Sequence, residues 1–249
     1  MTDIARRAVC VSKDHREFLD RLDDCGFVVL GPDVMDGRTL DELMAGLGRP
    51  VEYHFGTKLT LEPHEDSDNV QFTTRGMPLH VDAAFNEGPP VKYIGMQCVT
   101  APDGGGETLV AGADSFFAHA PEDLVEAMDG IVIEYRNRIS GYYKERAEGD
   151  HPRVAPVQTD PETGRRRIVV GLTDPDDPQR THDALVVGRT ERESADLMRR
   201  ISDALHLPSV LYAHTWRVGE VMVLDNRRLV HGRAAFPGQP RKMVRLSVS

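Results

Sequence analysis

Two short segments, separated by most of the chain, carry side chains that share one chemistry. A fold that uses them together must bring distant strands side by side. The first is Pro78-Leu79-His80-Val81-Asp82-Ala83-Ala84-Phe85. On a β-strand, side chains two apart point to the same face, so His80 and Asp82 can grip one metal ion from one side. The second is Leu224-Asp225-Asn226-Arg227-Arg228-Leu229-Val230-His231-Gly232, whose His231 lies 151 positions after His80 (231 − 80). That separation suits ligands on two different strands. Asp225-Asn226 reads as a turn pair that sets His231 just after a bend. Two histidines and one carboxylate suit a non-haem Fe(II) ion and leave coordination positions open for chemistry.

A His-x-acid pattern is common by itself. With 10 histidines and 40 acidic residues among 249, about one or two matches arise by chance, and three occur. His15-Arg16-Glu17 falls in a segment with helical spacing, where i and i+2 do not share a face. His64-Glu65-Asp66 falls in a polar, loop-like run. Only His80/Asp82 sits in an apolar, strand-like setting.

A formal net charge of −10 argues against nucleic acid or an anionic membrane surface as the main partner. A small-molecule substrate is the expected partner, and a homo-oligomer is compatible with the sequence. Cys10, Cys25 and Cys98 show no metal-type spacing and read as free thiols of a reducing compartment. The first residues lack the apolar run of a signal peptide, and no segment approaches a membrane span. The expectation is a cytoplasmic protein.

Length and the absence of repeats or low-complexity linkers suggest one domain over 1–249. Helical spacing marks 13–25, 38–47, 121–128 and 190–205, the last opening with Thr190 and Glu193 at capping-box spacing. Strands are expected at 27–30, 70–74, 79–83, 91–100, 131–135, 211–216, 221–224 and 241–249. The segment 144–178, rich in charged residues, Pro and Gly, reads as an insertion or lid, and with Tyr142 and Tyr143 it is a candidate for shaping a pocket. Many short strands with a few helices predict a mainly β fold with flanking helices, of the sandwich or jelly-roll kind.

Gly104-Gly105-Gly106-Glu107-Thr108 is a glycine-rich turn entering a strand, on which an inward Thr108 offers a hydroxyl to a carboxylate. Arg241 and Arg245 are four apart in the last strand, hence on one face. If that face is internal, both guanidiniums require anionic partners.

Taken together, these motifs resemble the Fe(II)/2-oxoglutarate-dependent oxygenases of the taurine dioxygenase family, nearest to its clavaminate synthase-like and carbapenem synthase-like branch. The similar features are His80-x-Asp82, the Gly105-Gly106-Glu107-Thr108 turn, Asp225-Asn226-Arg227-Arg228 followed by His231, and Arg241-x-x-x-Arg245. The resemblance implies a double-stranded β-helix with His80, Asp82 and His231 as iron ligands. It implies that Thr108 and Arg241 contact the distal carboxylate of 2-oxoglutarate, and that Arg245 holds an acidic group of the substrate. The interval from His231 to Arg241 is slightly short for the family, which leaves the division of labour between Arg241 and Arg245 open. The activity implied is hydroxylation, desaturation or ring closure of a small metabolite with O2, releasing succinate and CO2. Asp82 argues against halogenation, because related halogenases lack that carboxylate. Two alternatives stand beside this reading: a cupin-type metal dioxygenase or isomerase without 2-oxoglutarate, and a non-catalytic binding protein on the same fold.

Overall fold

The computed structural model describes residues 9–10, 14–53, 56–65, 67–85, 91–138 and 150–249. Its strands are β1 (Val9–Cys10), β2 (Phe27–Leu30), β3 (Lys58–Leu61), β4 (Met77–His80), β5 (Tyr93–Thr100), β6 (Thr108–Gly112), β7 (Ile133–Asn137), β8 (Arg153–Val154), β9 (Val157–Thr159), β10 (Arg166–Ile168), β11 (His182–Val186), β12 (Leu211–His214), β13 (Val221–Asp225), β14 (Leu229–Arg233) and β15 (Lys242–Val248). They form a six-stranded sheet ordered β1-β2-β13-β5-β15-β3 and a four-stranded sheet ordered β12-β6-β14-β4. Smaller sheets are β11-β7-β8 and β10-β9. All pairings are antiparallel except β1 with β2. The expectation of a mainly β protein with flanking helices holds.

Alternation along the strands decides what faces the interior. In β13, Met222 and Leu224 enter the core between the two large sheets, while Val221 and Val223 enter a second core on the outer face. That outer face is covered by the helices His15–Cys25 and Leu40–Ala45, through Phe18, Leu22, Leu40, Leu43 and Met44. Each such fully buried side chain contributes about 1.5–3 kcal/mol. In the four-stranded sheet, Leu79, Ala111 and Val230 pack outward on a third core with the helix Glu191–Leu205, while Val110 and Leu229 pack inward. The same two-residue period therefore turns Thr108 with Val110, His231 with Leu229, and Arg245 with Met243 into the space between the sheets. Gly232 permits the close approach of β14 to β4, since a Cβ there would lie 2.6 Å from the Met77 carbonyl oxygen.

The helix Glu191–Leu205 has the expected Thr190/Glu193 capping box. Several other expectations are corrected. Residues 70–74 are not a strand. Val70–Phe72 is a single 3-10 turn, capped by the Asn69 side chain and held by Arg233, which donates to the carbonyls of Val70, Gln71, Thr73 and Arg75. The strand expected at 79–83 ends at His80, so Asp82 lies in the following turn, where Ala83 takes φ 59°. The turn at 226–228 leads directly into β14, in whose middle His231 stands opposite His80 in register. Within 144–178, the described part holds β8, β9 and β10 and the buried Ile168, Val169, Val170 and Leu172. The short apolar run after Arg165-Arg166-Arg167 is packed in spite of its charged flanks. Tyr142 and Tyr143 lie outside the described residues.

Candidate active site

Backbone pairing brings His80 and His231 together. They are partners across β4 and β14, with ring centroids 4.5 Å apart. His80 Nδ1 is 2.9 Å from the Pro78 carbonyl, which can only accept, so Nδ1 carries the proton and Nε2 presents a lone pair. That Nε2 lies 3.2 Å from Asp82 Oδ1, and His231 Nε2 lies 3.6 Å from the same oxygen. One ligand atom from each residue falls within 4.8 Å of the others, and among the described residues this is the one such group of three. The His80 lone pair and the Asp82 carboxylate oxygen repel one another at this distance unless a cation sits between them. The donor set therefore fits a divalent metal ion.

Asp82 is positioned through its backbone. The Asn226 side chain accepts from Asp82 N–H at 2.9 Å and donates to the Asp82 and Val91 carbonyls, each at 3.0 Å. Asn226 is 2% exposed. Its amide thus fixes the turn that aims the carboxylate, which sequence reasoning had treated only as half of a turn pair. The other carboxylate oxygen, Oδ2, makes an ion pair with Arg245 Nη1 at 2.9 Å, without the alignment of a hydrogen bond. Burial alone would raise the Asp82 pKa, but the carboxyl is held well below its usual range, with the Arg245 charge as the largest lowering influence. Burial, reinforced by His80, pushes the His231 pKa down and keeps that ring neutral.

Arg241 lies one residue before β15 and is 4% exposed. Its Nε donates to the Gly106 carbonyl at 3.1 Å, and its guanidinium lies 5.7 Å from the centroid of Phe236. Gly106 has φ 69°, and a Cβ there would press on Arg241 Cδ at 3.0 Å, so the glycine turn is what admits the arginine. No carboxylate pairs with Arg241 among the described residues. Burial pushes its pKa down to about 10. Thr108, 2% exposed, accepts a 2.9 Å hydrogen bond from Trp216 Nε1. The structure thus gathers His80, Asp82, His231 and Arg245 into one cluster; Thr108 faces inward on β6 with Val110, while Arg241 lines a separate cavity with Glu62, Thr100 and Lys242. A cavity of about 580 Å3 is lined by His80, Asp82 and Arg245 together with Phe72, Phe85 and His182.

A two-histidine, one-carboxylate cluster is the donor set that mononuclear non-haem oxygenases use. Residues 7–247 match the family described as taurine catabolism dioxygenase TauD, TfdA family, and the chain belongs to that family. It is 26% identical to 3-((Z)-2-isocyanoethenyl)-1H-indole synthase of Fischerella ambigua over 84% of this chain and 76% of that protein. It is also 26% identical to tyrosine isonitrile desaturase of Pseudomonas aeruginosa, over 86% and 73%. Among solved structures, PvcB of Pseudomonas aeruginosa, an Fe, alpha-ketoglutarate dependent oxygenase from an isonitrile synthetic pathway, superposes with a TM-score of 0.68 at 19% identity, covering 94% of this chain and 79% of that one.

Proposed function

We propose that this dioxygenase uses Fe(II), 2-oxoglutarate and O2 to oxidise a C–H bond of a small, acid-bearing metabolite. His80, Asp82 and His231 hold the iron, Thr108 and Arg241 hold the distal carboxylate of 2-oxoglutarate, and Arg245 meets the acidic group of the substrate. The fold is read as a double-stranded β-helix, acting as one oxygenase domain over 1–249 with 144–178 as an insertion beside the pocket. The observation that carries the reading is a pairing of needs. Three atoms able to ligate a metal ion converge on one point, and the buried Arg241 pairs with no carboxylate among the described residues.

The chemistry a bound Fe(II) supplies is the coupling of O2 reduction to oxidative decarboxylation of 2-oxoglutarate. In hydroxylation, substrate C–H, O2 and 2-oxoglutarate give C–OH, succinate and CO2; in desaturation two hydrogens leave the substrate and water replaces the alcohol. The protein's own part is orientation and shielding. The Pro78 carbonyl holds the His80 proton on Nδ1, so that the Nε2 lone pair would be available to a metal ion. Arg245 offsets the Asp82 charge on one side and offers the cavity a cation on the other. Phe72 and Phe85 give the cavity apolar walls that suit a carbon skeleton. Relatives named for 2,4-dichlorophenoxyacetate and (S)-phenoxypropionate carry substrates in which an acid adjoins an apolar body, which agrees with this lining.

The test is succinate release from protein of verified iron content, with 2-oxoglutarate, O2 and a panel of carboxylates, sulfonates and phosphonates. Absence of any 2-oxoglutarate turnover, coupled or uncoupled, would sink the proposal.

A further inference from the structure

The Thr108 hydroxyl has one proton and two lone pairs. An indole N–H can only donate, so the 2.9 Å contact with Trp216 Nε1 occupies a lone pair of Oγ1. The hydroxyl proton is thereby left for a different acceptor, and no described residue takes it. The indole is itself held in place. Trp216 is 4% exposed, and His214 packs edge-on against it at 4.6 Å and 84°. His214 in turn contacts the Tyr212 hydroxyl at 3.1 Å and lies 3.2 Å from a Glu220 carboxylate oxygen, without the alignment of a hydrogen bond. In the turn that leads into the strand of Thr108, two residues upstream, the Gly106 carbonyl anchors the guanidinium of Arg241.

We infer that Trp216 is a positioning residue for the anionic cosubstrate: its N–H aims the Thr108 hydroxyl proton at the carboxylate that Arg241 neutralises. The inference rests on the reading that Thr108 and Arg241 receive the distal carboxylate of 2-oxoglutarate. Trp216 touches neither the metal cluster nor the cosubstrate in this scheme, and acts through Thr108 alone.

Calorimetric titration of Mn(II)-loaded protein with 2-oxoglutarate reads binding without turnover. Thr108→Val removes a hydrogen bond to a charged group and should weaken binding about tenfold or more. Trp216→Phe keeps an aromatic ring but loses the donor, and should weaken it about three- to tenfold, with Mn(II) affinity unchanged. The double variant should bind no worse than Thr108→Val, because the indole has nothing left to orient. Full-strength binding by Thr108→Val overturns the reading of Thr108 itself. A loss in Thr108→Val with none in Trp216→Phe, or losses that multiply, overturns the role of Trp216. Trp216 is the chain's one tryptophan, so the wild-type protein gives a second readout that needs no Trp216 variant. Its emission should change on saturation with 2-oxoglutarate and fail to change in Thr108→Val. An unchanged wild-type spectrum overturns the inference.

Discussion

The two oxygens of Asp82 face different partners: Oδ1 lies 3.2 Å from His80 Nε2, and Oδ2 lies 2.9 Å from Arg245 Nη1. Arg245 comes from β15 in the six-stranded sheet, whereas Asp82 follows β4 in the four-stranded sheet. An ion pair thus bridges the two sheets at the point where the candidate metal ligands gather. Its side chains are each 14% exposed, so the pair is weakly screened and still opens to the cavity.

Arg245→Gln separates the roles of the two arginines. If Arg245 meets the acidic group of the substrate, losing a charge-assisted hydrogen bond should raise the substrate KM about 10- to 100-fold and leave the 2-oxoglutarate KM near its original value. Steady-state kinetics with each component varied in turn is the measurement. A larger effect on 2-oxoglutarate than on substrate would reassign the cosubstrate to Arg245.

Asp82→Ala should abolish turnover and leave the fold intact. Loss of groups that merely support a metal ligand costs about 10- to 100-fold, so loss of the ligand itself should exceed about 100-fold. Iron content after equilibration, together with far-ultraviolet circular dichroism, distinguishes loss of the site from loss of the protein. Retained iron with normal activity would remove Asp82 from the ligand set.

Asn226→Ala removes one acceptor and two donors from buried backbone groups, at Asp82 N–H, Asp82 C=O and Val91 C=O. A stability loss of about 2–3 kcal/mol is expected, mostly because those groups are left unsatisfied. The Asp82 turn should also lose its aim, so that metal affinity falls about 10- to 100-fold. Denaturant unfolding of the metal-free protein measures the first effect and metal titration the second. A variant that is destabilised but binds metal as tightly as wild type would confine Asn226 to a folding role.

How far the sequence reveals this site depends on how local each determinant is. The helix Glu191–Leu205 and the strand Phe27–Leu30 are legible because capping residues and unbroken apolar runs act over a few positions. His80, Asp82 and His231 are legible as chemistry, but not as geometry. The pair was expected on one strand face, and it meets instead through a turn with Ala83 at positive φ. Residues 70–74 carry strand-like composition, yet their carbonyls are claimed by Arg233 from about 160 positions away. The parts played by Asn226 and Trp216 are invisible in sequence because each acts on an atom more than 100 positions distant, a backbone amide in one case and a hydroxyl in the other.

Acid sensitivity follows from His182, which is 7% exposed. Its Nε2 donates to the Gly171 carbonyl at 3.1 Å, and its Nδ1 therefore accepts from the Thr181 hydroxyl at 3.0 Å, which fixes a neutral ring. Burial lowers its pKa below the ordinary 6.5, only partly opposed by the Gly171 hydrogen bond. The unfolded chain takes up the proton first as pH falls. The stabilising contribution is accordingly complete above pH 6.5 and is lost as pH drops from there toward the folded-state value, at up to about 1.4 kcal/mol per pH unit for this group. His214, also held down by burial, adds to the trend in the same direction. Thermal unfolding of metal-free protein between about pH 5 and pH 7.5 should show a midpoint that falls on acidification. His182→Gln keeps a side-chain donor for the Gly171 carbonyl but cannot titrate, so it should flatten part of that slope. An identical slope in the variant would show that His182 is protonated in the folded protein as readily as in the unfolded chain.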